Sequence, residues 1–143
     1  MKENILVSAC LLGVCCRYDG KSVPCERVKA LAERYNLIPI CPEIYGGLPT
    51  PRTPSERVGD KVLMKDGVDV TENYCRGAHA SYEIAQINQC KTAILKEKSP
   101  SCGKGKVYDG TFSGVLTDGN GVTAEYFISK GMRVLGESEI DDL

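Results

Sequence analysis

The chain predicts a single α/β domain of three layers, built on a mostly parallel, doubly wound sheet. Two observations carry that expectation. Short apolar runs at Ile5-Leu6-Val7, Leu37-Ile38-Pro39-Ile40, Thr92-Ala93-Ile94-Leu95 and Met132-Arg133-Val134-Leu135 alternate with segments of helical character, the pattern of strand–helix–strand units. Right-handed crossovers in such units gather the carboxyl ends of the strands at one edge. Three long loops, at 11–22, 42–57 and 99–121, all leave from that edge, the side on which open parallel sheets bind ligands. With 143 residues, 42% hydrophobic and 26% charged, residues 1–143 have the size and composition of one domain with a core of its own.

Taken in order, Ile5-Leu6-Val7 is the first buried strand, and Ser8-Ala9-Cys10 is its exit. The loop that follows holds Gly13, the pair Cys15-Cys16 and Arg17-Tyr18-Asp19-Gly20, of which Asp19-Gly20 is a turn signal. Pro24 opens a helix running to about Tyr35, with Ser22 as the better capping residue and Val28, Leu31 and Ala32 at helical spacing. Leu37–Ile40 is the second strand, and Pro39 places it at a sheet edge because proline cannot donate to a ladder. Gly46-Gly47, Pro49, Pro51 and Pro54 make 44–57 irregular, and an ordered loop of that length is usually functional. Val62-Leu63-Met64 and Val68–Val70 flank Asp66-Gly67 as a small hairpin outside the main sheet. A second helix starts at Thr71 and runs to Gln89, Thr92–Leu95 is the third main strand, and 103–121 is a glycine-rich loop. Val122–Lys130 is a short helix stopped by Gly131, Met132–Leu135 is the last strand, and an acidic tail follows.

The formal net charge is −1, so no global basic field draws in DNA or any other nucleic acid. No run reaches the roughly 18 apolar residues of a membrane span. The first residues lead from a short apolar run straight into a strand-like loop rather than into a cleavage site, and a cytoplasmic location is the expectation. Eight cysteines are many for this length. In a reducing compartment they point to metal binding or catalysis rather than to disulfides. The single histidine, His79, makes any metal site thiolate-rich, which selects zinc or iron–sulfur chemistry.

Cys10, Cys41 and Cys102 each follow an apolar run and precede an irregular loop. One such cysteine is ordinarily a small buried residue. Three at equivalent strand ends predict a shared site. Their spacing lacks the Cys-x-x-Cys pairs common in zinc sites, and three donors leave one metal position open to substrate or water. Cys15-Cys16 completes a Cys-x4-Cys-Cys loop with Cys10 that can also supply ligands. Cys25, Cys75 and Cys90 fall in or near helices and read as packing residues. Glu43, two residues after Cys41 and beside Pro42, is placed to act as a general acid or base. Ser99 and Ser101 flank Pro100 and can donate to a ligand or to sulfur, though turn chemistry accounts for them equally. Arg17, Arg52 and Lys98 sit one on each loop and can form an anion pocket, and Tyr18 can stack on a flat substrate. His79, mid-helix, reads as structural. Gly103-Lys104-Gly105-Lys106 lacks the P-loop spacing.

Ser8-Ala9-Cys10-Leu11-Leu12-Gly13, Arg17-Tyr18-Asp19-Gly20, Cys41-Pro42-Glu43 with Gly46-Gly47-Leu48 and Pro51-Arg52, and Lys98-Ser99-Pro100-Ser101-Cys102-Gly103 together resemble the thiouracil desulfidases, small bacterial proteins long catalogued as a domain of unknown function. The resemblance spans nearly the whole chain, with the motifs in the family's order. It implies a 4Fe-4S cluster held by Cys10, Cys41 and Cys102 with one open iron, and Glu43 and Ser101 as the catalytic groups. It implies removal of sulfur from a thiolated uracil, as free base, nucleoside or thiolated tRNA, to give uracil and sulfide. Cys15 and Cys16 receive no role from it. Two other functions use the same cysteines: a non-catalytic iron–sulfur carrier or redox sensor, and a zinc-binding module. The open position and three long loops on one face favour the enzyme.

Overall fold

The structure is a computed structural model that describes residues 1–143, the side chain of Asp142 excepted. In chain order its elements are β1 (Glu3–Ser8), α1 (Glu26–Lys29), β2 (Tyr35–Ile40), α2 (Pro42–Tyr45), β3 (Ser55–Val58), β4 (Lys61–Met64), α3 (Thr71–Ile87), β5 (Thr92–Leu95), β6 (Lys106–Tyr108), β7 (Leu116–Asp118), α4 (Val122–Ser129) and β8 (Arg133–Gly136). Single 3-10 turns follow β1 (Ala9–Leu12) and α1 (Ala30–Glu33), and another closes the chain at Ile140–Asp142.

The main sheet has the order β2-β1-β5-β8, and every pairing in it is parallel. The chain winds outward from β1 to β2 and then returns to the other side of β1 with β5, so the winding switches direction beside β1. Alternation along β1 divides the core between two faces. Ile5 and Val7 pack with Val28, Leu31 and Ile94, while Leu6 packs on the opposite face with Ala85 of α3 and with Ala124 and Phe127 of α4. Thr92–Leu95 of β5 is buried throughout, as a central parallel strand covered on both faces must be. Each fully buried aliphatic side chain here contributes about 1.5–3 kcal/mol relative to exposure. No helix of the described residues is long and apolar enough to cross a membrane.

Differences from the expected elements have local causes. The first helix begins at Glu26 rather than Pro24, with Cys25 rather than Ser22 before it, and gives way to the 3-10 turn and then to β2. Tyr35 therefore lies in a strand. It pairs with Glu3, and the pairing extends β1 and β2 to six residues each. Pro39 is on the edge strand as expected. Val62–Met64 does enter a hairpin, but its ladder partner is Ser55–Val58. Against 68–70 only the Leu63–Asp69 bridge and two flanking backbone bonds form. The 103–121 loop carries the two-stranded ribbon β6–β7. Short ribbons of this kind lack the long apolar runs by which strands are recognised.

One helix contact positions the site directly. Gly77 of α3 lies against the Pro42 carbonyl: a Cβ there would stand 1.8 Å from that oxygen. Gly46 meets α3 in the same way, with a Cβ reaching 2.0 Å from the Asn73 oxygen. The two glycines let α2 pack backbone to backbone on α3, and α2 carries Glu43. Gly77→Ala is accordingly expected to cost about 1–3 kcal/mol through overpacking. It should also lower activity beyond the stability loss by displacing α2. A melting curve and a rate measured well below the melting temperature check both parts.

Candidate active site at the strand ends

The register of the sheet sets the site. Ser8 of β1 pairs with Ile40 of β2, so Cys10 and Cys41 leave adjacent strands at nearly the same height. β5, on the other side of β1, leads into the turn that carries Cys102. All three thiols line one cavity of ≈ 420 Å³ beyond the carboxyl ends of the strands, within the range of small-molecule sites. Glu43, Arg52, Tyr18, Ser99, Lys98 and Phe112 are among its other walls.

The thiols are coupled through their surroundings. Cys102 is buried, and its thiol is pushed up to about 12, first by burial and then by the Glu43 charge. The Ser8 and Ser101 hydroxyls bond its sulfur and act in the opposite direction. The Cys41 thiol is raised by a hydrogen bond with Cys16 and by burial, and it also lies 3.8 Å from the Cys16 carbonyl oxygen. Cys16 is buried and is pushed up to about 11, first by its hydrogen bond with Cys10, against a lowering bond with Cys41. Cys16 is therefore a fourth thiol in contact with two of the three expected donors. Its only sequence signal was its place in the Cys-x4-Cys-Cys loop. All eight cysteines are free.

This donor set fits an iron–sulfur cluster. Among the described residues no three His, Cys, Asp or Glu side chains are gathered as a site for a single ion. A four-iron cluster is a body rather than a point, so its donors line a cavity wall, as these do. Soft thiolates suit it. The lone histidine takes no part, since His79 is exposed on α3 and stacks on Tyr126 at 4.5 Å.

Glu43 is placed at the first turn of α2, just after Cys41. Its Oε2 accepts from Arg52 Nη2 at 3.0 Å and from the Tyr74 hydroxyl at 3.3 Å. Oε1 has no protein partner among the described residues. The Arg52 side chain is 3% exposed. Its Nη2 also donates to the Cys16 carbonyl at 3.0 Å, and its Nη1 to Pro49 O and Thr50 Oγ1. Its Nε is buried without a partner. Burial alone would lower the guanidinium pKa; the Glu43 charge and hydrogen bond outweigh it and the net shift is upward. Burial, then the Glu43 charge, raises the Tyr74 hydroxyl, which stays a donor at neutral pH. A buried ion pair of this kind adds little net stability. Its effect is geometric: one carboxylate oxygen is pinned and the other left free. Arg17, Arg52 and Lys98 do line one cavity, but Arg52 is committed to Glu43. Arg17 lies near Asp19 and over the Tyr18 ring.

The two serines separate. Ser101 is fully buried, its hydroxyl 2.8 Å from Thr123 Oγ1, and it is not part of the cavity wall. Ser99 is. Ser99 Oγ accepts the backbone N–H groups of Ser101 and Cys102, each at 3.1 Å, so its own proton remains available to donate. The turn closes with Gly103 N–H on Ser99 O at 2.8 Å. That turn leaves Ser99 on the cavity wall and buries Ser101 against Thr123, a difference that a Ser-Pro-Ser string does not disclose.

The model of the 2-thiouracil desulfurase family matches residues 5–139. The chain is 41% identical to the uncharacterized protein YbbK of Bacillus subtilis (strain 168), over 97% of this chain and 99% of that one. It is also similar to the solved structure of the [4Fe-4S]-dependent thiouracil desulfidase TudS. The TM-score there is 0.93 at 42% identity, covering 99% of this chain and 95% of the other.

Proposed function

The chain belongs to the 2-thiouracil desulfurase family, and from that premise we propose that it is a 4Fe-4S enzyme that removes sulfur from a thiolated uracil by hydrolysis. The observation that carries the reading is the cavity itself, where three strand-end thiols meet a pinned carboxylate. Water supplies the oxygen that replaces sulfur, sulfur leaves as hydrogen sulfide, and no electron is gained or lost. Neither a carrier nor a zinc module has use for the Glu43–Arg52–Tyr74 arrangement.

Cys10, Cys41 and Cys102 would hold the cluster, leaving one iron without a protein ligand. When bound, that iron supplies a Lewis acid that accepts sulfur. The remaining chemistry falls to the chain. Glu43 Oε1 takes a proton from the attacking water, while Arg52 and Tyr74 fix Oε2 so that the free oxygen faces the reaction. Ser99, rather than the buried Ser101, donates its proton in the cavity. Ser101 acts on the Cys102 sulfur, whose ionised form its hydroxyl favours. Ser99→Ala is expected to slow turnover by about 10²-fold, the typical loss of one positioned donor, with iron retained. Ser101→Ala should instead lower iron retention, because it loosens Cys102 and leaves the Thr123 hydroxyl unpaired.

The substrate is a thiolated uracil presented as base or nucleoside. Thiolated tRNA would need a local basic surface, since the net charge offers no general one. Eight free cysteines suit a reducing compartment such as the cytoplasm. Anaerobic cluster reconstitution followed by sulfide release from 2-thiouracil, 4-thiouracil and thiouridine tests the whole reading. A reconstituted protein that releases sulfide from none of them would overturn it.

A further inference from the structure

We propose that Phe112 is a substrate-contacting residue that determines specificity by supplying one face for the planar thiopyrimidine ring. The inference rests on reading the cavity as a thiouracil site. Phe112 lies at the tip of the β6–β7 ribbon and lines the same cavity as the thiols. Its backbone has φ of 56°. The left-handed region is unfavourable for a bulky side chain, and phenylalanine lacks the polar group by which asparagine or aspartate tolerates it. Among the described residues three non-glycine positions have positive φ: Lys98 and Phe112 both line this cavity, and Gln89 lies elsewhere. Backbone strain concentrated at one site is a recurrent mark of function.

The strain is held in place by a buried carboxylate. Glu56 of β3 is 9% exposed. Its Oε1 accepts the N–H of Gly110 at 2.9 Å and that of Phe112 at 3.1 Å. Asp109 N–H donates to Val115 O at 2.9 Å, and Asp109 Oδ1 accepts from Thr111 N–H at 3.0 Å and from its hydroxyl at 2.6 Å. Gly110 fits so closely over β3 that a Cβ would stand 2.8 Å from Val58 Cγ2. The tip is thus fixed on β3 from several directions, and the ring it presents stacks on no other aromatic ring among the described residues. A half-buried, unpartnered ring on a strained and anchored backbone, on the wall of a cavity for a flat heterocycle, has the arrangement of a stacking platform.

The test uses reconstituted holoenzyme of the wild type and of Phe112→Ala, Phe112→Tyr and Phe112→Gly. Steady-state rates on a thiouracil are read together with competitive inhibition by uracil, which offers the ring but no sulfur, and with melting temperatures. Phe112→Ala is expected to raise both KM and the uracil inhibition constant by about tenfold, the loss of one stacking contact, with kcat within threefold of wild type. Phe112→Tyr restores both constants. Phe112→Gly melts above Phe112→Ala, because glycine relieves the positive φ, yet shares its raised KM, so that KM follows the ring and not the stability. Unchanged KM and uracil inhibition in active Phe112→Ala, or a KM in the Gly variant restored along with its stability, overturns the role of Phe112 alone. A wild-type holoenzyme without sulfide release overturns the desulfidase reading and the role of Phe112 with it.

Discussion

Cys41→Ala is expected to retain at most traces of iron after anaerobic reconstitution and to release no sulfide above background. The same result is expected for Cys10→Ala and Cys102→Ala. Cys41 is one of the three donors proposed for the cluster, so its loss would leave two of them, and His79, the one histidine, is exposed on α3 and does not line the cavity. The fold should survive, because Cys41 is only half-buried and follows the edge strand. Iron content, visible absorbance and far-ultraviolet circular dichroism on one preparation separate loss of cluster from loss of fold. Cys75→Ala, exposed on α3, should keep full iron. Cys16→Ala asks whether the fourth thiol is a donor or a neighbour. Iron loss there equal to that of Cys41→Ala would enlarge the donor set, and full iron in Cys41→Ala would dissolve it.

Glu43→Gln should leave the cluster in place while turnover falls by roughly 10²–10⁴-fold, the contribution of a positioned general acid–base. The substitution preserves shape but removes the proton acceptor, and it leaves Arg52 buried without its counter-ion. Breaking a buried pair from one side costs about 3–5 kcal/mol, so the variant should also melt lower, and rates belong well below that temperature. Arg52→Lys gives the complementary result. The charge remains, but the planar fork that reaches Glu43, Cys16 O, Pro49 O and Thr50 at once is lost. Turnover should fall with iron content nearly unchanged. A Glu43→Gln protein with near-normal turnover would return that residue to the role of a loop carboxylate and leave proton transfer to Ser99 or water.

The strands that carry the site were legible because each contains a run of apolar residues, buried throughout in β5 and only in part in the edge strand β2, with a cysteine following each run. The edge position of β2 followed from Pro39 in the same way. What stayed hidden depends on pairing across long separations. Ser55–Val58 has no apolar run to announce it, and becomes a strand by pairing with 61–64. Arg52 could be placed near the site, yet its bond to Glu43 depends on how the 46–54 segment turns back toward α2. The choice between Ser99 and Ser101 rests on a turn whose two sides read alike in sequence. Phe112 gave no signal, because backbone strain is a property of conformation rather than of composition.

The strand order has a consequence for how the protein is made. Cys41 follows an edge strand, Cys10 its inner neighbour, and Cys102 the turn beyond β5, a strand enclosed between β1 and β8. During synthesis the first two thiols emerge early, but the wall that completes the cavity waits for the turn beyond β5 and for the β6–β7 ribbon. No shorter stretch of chain can gather the donors as a zinc finger gathers its own. A chain that ends before Cys102 therefore lacks one of the three thiols proposed to hold the cluster.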